Sequence, residues 1–174
     1  SFFGRVNYSF NNKYMITATM RADGSSKFGT NNKYGYFPSV ALGWNITNED
    51  FLASSKVFTN LKLRGSWGRT GNQEIPAKIT QASFTESNSN NDTYPLDPNA
   101  TDLSGYPYGS TFTRLANPDI QWEVSTQANI GLDFALFNYR LTGNVDFFNT
   151  VSENILLEVA PVDPIQPTDK FWTN

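Results

Sequence analysis

The chain has 174 residues with a formal net charge of -3, from 13 basic and 16 acidic side chains, and it contains neither cysteine nor histidine. That composition excludes a disulfide framework and a thiolate metal site, removes the commonest general base, and, with no basic run, argues against nucleic acid as a partner. No run of about 18 apolar residues occurs, so a transmembrane helix is excluded. A membrane β-barrel is compatible with the mean hydropathy of -0.44, because its strands alternate between lipid and lumen.

Alternation begins at once. Phe2, Val6, Tyr8 and Phe10 share one face of an expected strand over residues 1–10, and Phe3, Arg5, Asn7 and Ser9 share the other. Asn11, Asn12 and Lys13 read as a tight turn. Residues 14–23 alternate again, with Tyr14, Ile16, Ala18, Met20 and Ala22 opposing Met15, Thr17, Thr19, Arg21 and Asp23. Gly24, Gly29 and Gly35, after Asp23, carry the chemistry of a loop over 23–36. Tyr36, Phe37 and Pro38 lead into a strand in which Val40, Leu42, Trp44 and Ile46 face away from Ser39, Ala41, Gly43 and Asn45. Thr47 or Asn48 is a candidate N-cap for a helical turn over 49–52. In the next strand Leu61, Leu63 and Trp67 oppose Lys62, Arg64 and Ser66.

From 69 to 119 the pattern dissolves into asparagine, glycine and proline, the vocabulary of a long loop, which in a compact domain is usually functional or disordered. Order returns in the longest expected strand, where Trp122, Val124, Thr126, Ala128, Ile130, Leu132, Phe134 and Leu136 oppose Glu123, Ser125, Gln127, Asn129, Gly131, Asp133 and Ala135. Asn138 and Tyr139 turn the chain, and Leu141, Val145 and Phe147 then oppose Thr142, Asn144, Asp146 and Phe148. Residues 149–174, with Pro161, Pro164 and Pro167, read as another loop. The chain starts in mid-strand style and ends without a terminal element, so it is expected to be a fragment of something longer.

Short connections (11–13, 47–60 and 138–139) thus alternate with long ones (23–36, 69–119 and 149–174), and aromatics gather near strand ends at Tyr8, Phe10, Tyr14, Phe37, Trp44, Trp67 and Trp122. Arg5, Arg21, Lys62, Arg64, Glu123, Asp133 and Asp146 all fall on the polar parity. A soluble β-sandwich alternates as well, since its inner face is apolar and its outer face polar. Strand length and loop asymmetry separate the two: globular strands run about 5–6 residues, whereas most strands here run near the ~10 of a tilted membrane crossing. The expected fold is all-β, an antiparallel transmembrane β-barrel, with short periplasmic turns and long extracellular loops.

The run RADGSSKFG followed by NNKYGYFPSVALGW closely resembles a segment of SusC/RagA-type transporters, the TonB-dependent outer-membrane barrels. NEDFL after a tryptophan-bearing strand, LKLRGSWGRTGNQEI, and NPDIQWEVSTQANIGLDFALFNYRLTGNVDFFN resemble further family segments in the right order, so the likeness spans nearly the whole chain. Phe147-Phe148 departs from the family, which more often has tyrosine there. The resemblance implies about six strands of a barrel of about 22 around a plugged lumen, with residues 1–174 all belonging to the barrel and the plug domain outside this chain. It further implies a SusD-like surface lipoprotein and energy from the TonB-ExbB-ExbD system, with oligosaccharide or peptide as cargo and outer-membrane lipid as the surroundings. The expected activity is therefore TonB-dependent nutrient import, with a surface adhesin or glycan-binding β-domain as the alternative.

Motifs for chemistry are few. The Asp23-Gly24-Ser25-Ser26 run lacks EF-hand ligand spacing and reads as a turn. The asparagine- and aspartate-rich run over 86–102 carries groups for Ca²⁺ or sugar hydroxyls, and reads better as a solvated loop. Tyr94, Tyr106, Tyr108 and Phe112 are the candidate cargo or lid contacts, since flat rings suit the C–H faces of sugars; packing of the loop on itself is the competing account. No nucleophile–base pair is present, so no enzyme, catalytic residue, metal or cofactor is expected.

Overall fold

The computed structural model describes residues 1–52, 54–86, 109–160 and 171–174, with only the backbone described at Thr111 and Phe112. The strands in chain order are β1 (Phe2–Phe10), β2 (Tyr14–Gly24), β3 (Tyr34–Asn45), β4 (Phe58–Asn72), β5 (Ser83–Glu86), β6 (Ser110–Arg114), β7 (Glu123–Leu136), β8 (Leu141–Glu153), β9 (Leu157–Val159) and β10 (Phe171–Thr173). Among the described residues no helix is long and apolar enough to cross a membrane.

The chain divides into two compact units. The first comprises residues 1–25, 34–73 and 122–155. It is a six-stranded sheet in the order β1-β2-β3-β4-β7-β8, every neighbouring pair antiparallel. Register makes the parity of each strand continuous with the next. Tyr8 lies opposite Ile16, Ile16 opposite Leu42, Leu42 opposite Gly65, Gly65 opposite Ile130 and Ile130 opposite Phe147. The neighbouring row runs Phe10, Tyr14, Trp44, Leu63, Leu132 and Val145. One face is therefore apolar from edge to edge and stands open: Phe2 is 79% exposed and Phe147 74%. A free-standing soluble domain would cover such a face.

The short connections are built tightly. Asn11 and Asn12 adopt φ of 50° and 53°, and Lys13 N–H donates to the Phe10 carbonyl at 2.9 Å, the hairpin turn whose twist matches its strands. Phe137, Asn138 and Tyr139 all lie at positive φ between β7 and β8. This left-handed run is held from the side: Phe137 N–H reaches the Val57 carbonyl and Asn138 N–H the Thr59 Oγ1, both at 2.9 Å. Between β3 and β4 a short 3-10 turn over Ile46–Asn48 leads into a hydrogen-bonded turn over 49–52, where Leu52 N–H donates to the Glu49 carbonyl at 3.0 Å; the Thr47 and Asn48 side chains bond to Leu61 and Asn12 instead of capping it. Thr47 is engaged elsewhere, its Oγ1 donating to the Leu61 carbonyl at 3.3 Å and accepting from Leu61 N–H.

The second unit comprises residues 26–33, 74–121 and 156–174. Phe28, Ile75, Ile79 and Ile120 form its apolar centre, with Ile79 and Ile120 almost fully buried. Lys27 Nζ donates to the Ile75 carbonyl at 3.0 Å and Asn32 Nδ2 to the Asp119 carbonyl at 3.2 Å, which ties 26–33 to residues 75 and 119. A Cβ at Gly29 would strike the Pro118 carbonyl, so only glycine permits that approach. Two small antiparallel pairs, β5–β6 and β9–β10, complete this unit.

Several strands outrun their sequence pattern. β2 and β3 pair as far as Gly24 opposite Tyr34, so 34–38 are strand and the connection between them shortens to 25–33. β4 continues through Asn72 and β8 through Glu153, because the ladder to β7 carries residues whose composition breaks the alternation. β5, β6, β9 and β10 are short strands within segments that composition alone assigns to loops.

Candidate functional site: the polar face of the sheet

Residues of the other parity form rows across the same six strands. One row runs Arg5, Thr19, Ser39, Gly68, Gln127 and Thr150, and the next runs Asn7, Thr17, Ala41, Ser66, Asn129 and Phe148. Arg5 is the single charge in these two rows. Hydroxyls and amides satisfy each other across strands: Arg5 Nε donates to Thr19 Oγ1 at 3.3 Å and Thr17 Oγ1 to Asn7 Oδ1 at 2.9 Å. A groove of about 630 Å³ lies along this belt, lined by Thr17, Thr19, Ser39, Ser66 and Gln127, with Phe37 and Trp122 also in its wall.

Charge is concentrated beside the belt. Arg64 of β4 reaches Asp133 of β7 through Nε at 2.8 Å and a terminal nitrogen at 3.0 Å, and the same terminal nitrogen reaches Asp146 of β8 at 3.1 Å. Asn144 Nδ2 donates to the other Asp146 oxygen at 2.8 Å. One guanidinium thus links three adjacent strands. Gly131 makes room for it, since a Cβ there would meet both the Asp146 carboxylate and the Arg64 guanidinium. At the end nearer the long connections, Arg21 pairs with Asp23 at 2.5 Å.

Phe37 shares the polar parity but is buried, 7% exposed, in edge-on contact with Trp122 at a centroid distance of 5.5 Å. Its ring fills the space left by Gly35 and Gly71, where added Cβ atoms would collide with it. The β3–β4 ladder stops at Ser39 opposite Gly68, one residue after Pro38, which has no N–H to donate. The strands part there, and Phe37 occupies the fork.

At the opposite end Glu49 gathers three donors. Tyr14 Oη donates to its Oε1 at 2.6 Å, Trp44 Nε1 to Oε1 at 3.0 Å and Lys13 Nζ to Oε2 at 3.1 Å. These bonds, Tyr14 first, then Trp44 and Lys13, lower the carboxyl from its ordinary 4.5 to about 2. The Glu49 hydrogen bond, with Asp50 beside it, raises Lys13.

Of the residues singled out by sequence, Tyr94, Tyr106 and Tyr108 lie outside the described residues. The Phe112 backbone sits in β6, opposite Phe84 of β5. The Arg64–Asp133–Asp146 link and the Glu49 cluster escape sequence reading, which places their members on the right parity or in the right turn but does not supply the cross-strand register. Among the described residues no group of histidine, cysteine, aspartate and glutamate is arranged to hold a metal.

A two-faced antiparallel sheet whose apolar side stands open suits the wall of a barrel, and comparison with known proteins agrees. The family model described as TonB dependent receptor-like, beta-barrel matches residues 1–174. The TonB-dependent receptor SusC of Bacteroides thetaiotaomicron is 39% identical over 164 residues, covering 91% of this chain and 15% of that protein. A TonB-dependent receptor of Formosa agariphila is 41% identical over 156 residues, covering 90% of this chain and 14% of that one. Among solved structures, the RagAB peptide transporter superposes with a TM-score of 0.80 at 33% identity, covering 98% of this chain and 17% of the other. The RagAB peptide importer in its open-open state superposes at 0.82, also at 33% identity, covering 99% and 17%. The chain belongs to the TonB-dependent receptor β-barrel family, as a partial barrel akin to SusC and RagA, and spans about a sixth or less of the relatives it matches.

Proposed function

We propose that the protein to which this chain belongs is an outer-membrane importer of nutrient oligosaccharides or peptides, driven through TonB-ExbB-ExbD and working with a SusD-like surface lipoprotein. The observation that carries the reading is the pair of faces on one sheet. Its apolar rows suit lipid, and its hydroxyl and amide belt suits a hydrated lumen wall that passes uncharged polar cargo without holding it. In this reading the short connections from β1 to β2, β3 to β4 and β7 to β8 face the periplasm. The long segments from β2 to β3, from β4 to β7 and after β8 face outward, and the chain contributes wall rather than catalysis.

The test is uptake by cells that carry the full-length gene or its deletion, supplied in turn with labelled oligosaccharides and peptides. Loss of uptake of one cargo class on deletion, restored by the gene, supports import; unchanged uptake of both refutes it. Tyr94, Tyr106 and Tyr108, with Phe112, are proposed as cargo or lid contacts. Replacing the three tyrosines together with alanine is expected to weaken cargo binding by roughly a hundredfold, at about 1 kcal/mol per lost aromatic contact, while barrel assembly is kept. Unchanged binding by calorimetry would remove them from the site.

A further inference from the structure

The apolar face has one hole. In the row Tyr8, Ile16, Leu42, Gly65, Ile130 and Phe147, every side chain is large except at Gly65. Tyr8, Leu42 and Ile130 stand 60%, 56% and 61% exposed around it, and a Cβ built on Gly65 meets nothing within 4 Å. The resulting notch has a volume of about 460 Å³, with Ile16, Trp44 and Leu63 also in its wall.

Its depth in the sheet is marked by Tyr14 and Trp44 in the adjacent row. Their rings stack at 6.3 Å and 16°, and the polar atoms of both donate to Glu49 in the connection below. Two amphipathic rings with polar ends turned toward a charged turn and apolar bodies turned toward the strands mark a boundary between polar and apolar surroundings. On β2 and β3 the notch opens one row beyond that boundary, on the apolar side; because barrel strands tilt by about 35–45°, the same row lies at a different depth on β8.

We propose that the notch over Gly65 binds one acyl chain of a phospholipid from the leaflet beside the short connections. This rests on the reading of the apolar face as lipid-facing. A second protein surface needs about 800 Å² per partner for a stable interface, and a helix or sheet of that footprint would rest on the ridges at Tyr8, Leu42 and Ile130. A single methylene chain is narrow enough to reach the floor. Lys13, beside Tyr14, is already engaged by Glu49 at 3.1 Å and Asp50 at 3.5 Å, so it is not set aside to select a phosphate. The site reads the chain and tolerates different headgroups.

The experiment is native mass spectrometry of the full-length protein released from mild detergent, with the bound phospholipid counted by mass. The wild type is expected to carry one retained phospholipid of mixed headgroup. Gly65→Phe fills the notch and is expected to reduce retention about tenfold, the effect of losing burial of roughly two methylenes. Gly4→Phe is the control, because Gly4 also has open space for a Cβ but sits on the edge strand β1 outside the notch; its retention should match the wild type. Equal retention in all three proteins overturns the proposal, as does loss of a protein dimer rather than of lipid in Gly65→Phe. Where Gly65→Phe does not assemble, Leu42→Ala and Ile130→Ala strip the ridge and should weaken retention instead; unchanged retention in both overturns the proposal. Membrane fractionation separates the two levels: a wild type absent from the membrane fraction refutes the barrel reading, whereas a membrane-embedded protein with unaltered retention refutes only the notch.

Discussion

Glu49 shows how a single side chain anchors a connection. Its ionised form accepts from Tyr14, Trp44 and Lys13, and its carboxyl therefore lies at about 2 rather than the ordinary 4.5. The folded protein binds that proton less readily than the unfolded chain, so the stabilisation is fully present above pH 4.5, declines below it and is gone near pH 2. Glu49→Gln in the full-length protein is thus expected to lower the urea midpoint at neutral pH, with the gap from wild type closing as the pH approaches 2. A gap that is constant with pH would show that the carboxylate charge is irrelevant. Arg64 works differently, as a planar fork that bridges Asp133 and Asp146 on two strands. Arg64→Lys keeps the charge but not the fork, and Arg64→Met leaves two carboxylates facing each other. The urea midpoint should fall in the order wild type, Arg64→Lys, Arg64→Met; an Arg64→Lys variant as stable as wild type would deny the fork its role.

At the scale of the strand, alternation in the sequence is enough to place β1, β2, β7 and most of β8, because each keeps one mainly apolar and one mainly polar parity along its length. It fails at the near ends of β3 and β4 for a physical reason. Gly35, Pro38 and Gly71 carry weak strand propensity, yet β3 is held by β2 and β4 by β7 through those residues. The glycines are there for Phe37, whose ring needs the space of two missing side chains. A Cβ at Gly71 would push that ring out of the fork, so Gly71→Ala is expected to cost about 1–3 kcal/mol by overpacking. Phe37→Leu combined with Gly71→Ala should recover part of that loss, a coupling measurable as a double-mutant cycle by urea unfolding. Strict additivity would place the ring elsewhere. The polar-face groove was legible only as a parity; which residues stand side by side on it depends on register between strands up to 82 residues apart in sequence, as Arg64 and Asp146 are, and no local pattern carries that.

For the molecule as a whole, the sheet has two unpaired edges, β1 and β8, and an open apolar face. Expressed alone without detergent, the 174-residue chain is expected to be insoluble, since both features invite association; a monodisperse product with cooperative unfolding would favour the sandwich over the barrel. Facing supplies the sharper test. On β8, Val145 lies on the apolar parity opposite Leu132 and is 64% exposed, whereas its neighbour Asn144 lies on the polar parity opposite Asp133 and donates to Asp146. In the full-length protein, an arginine at a lipid-facing midplane position costs about 2–4 kcal/mol, while one on the lumen side stays hydrated. Val145→Arg should therefore reduce the folded barrel, read as heat-modifiable gel mobility, far more than Asn144→Arg, which also gains two nearby carboxylates in Asp133 and Asp146. A buried sandwich core would also reject Val145→Arg, so the deciding measurement is contact with lipid. Spin labels at Val145 and Leu132 should both be reached by lipid-soluble quenchers, and labels shielded from lipid at both positions would show that these strands do not cross a membrane.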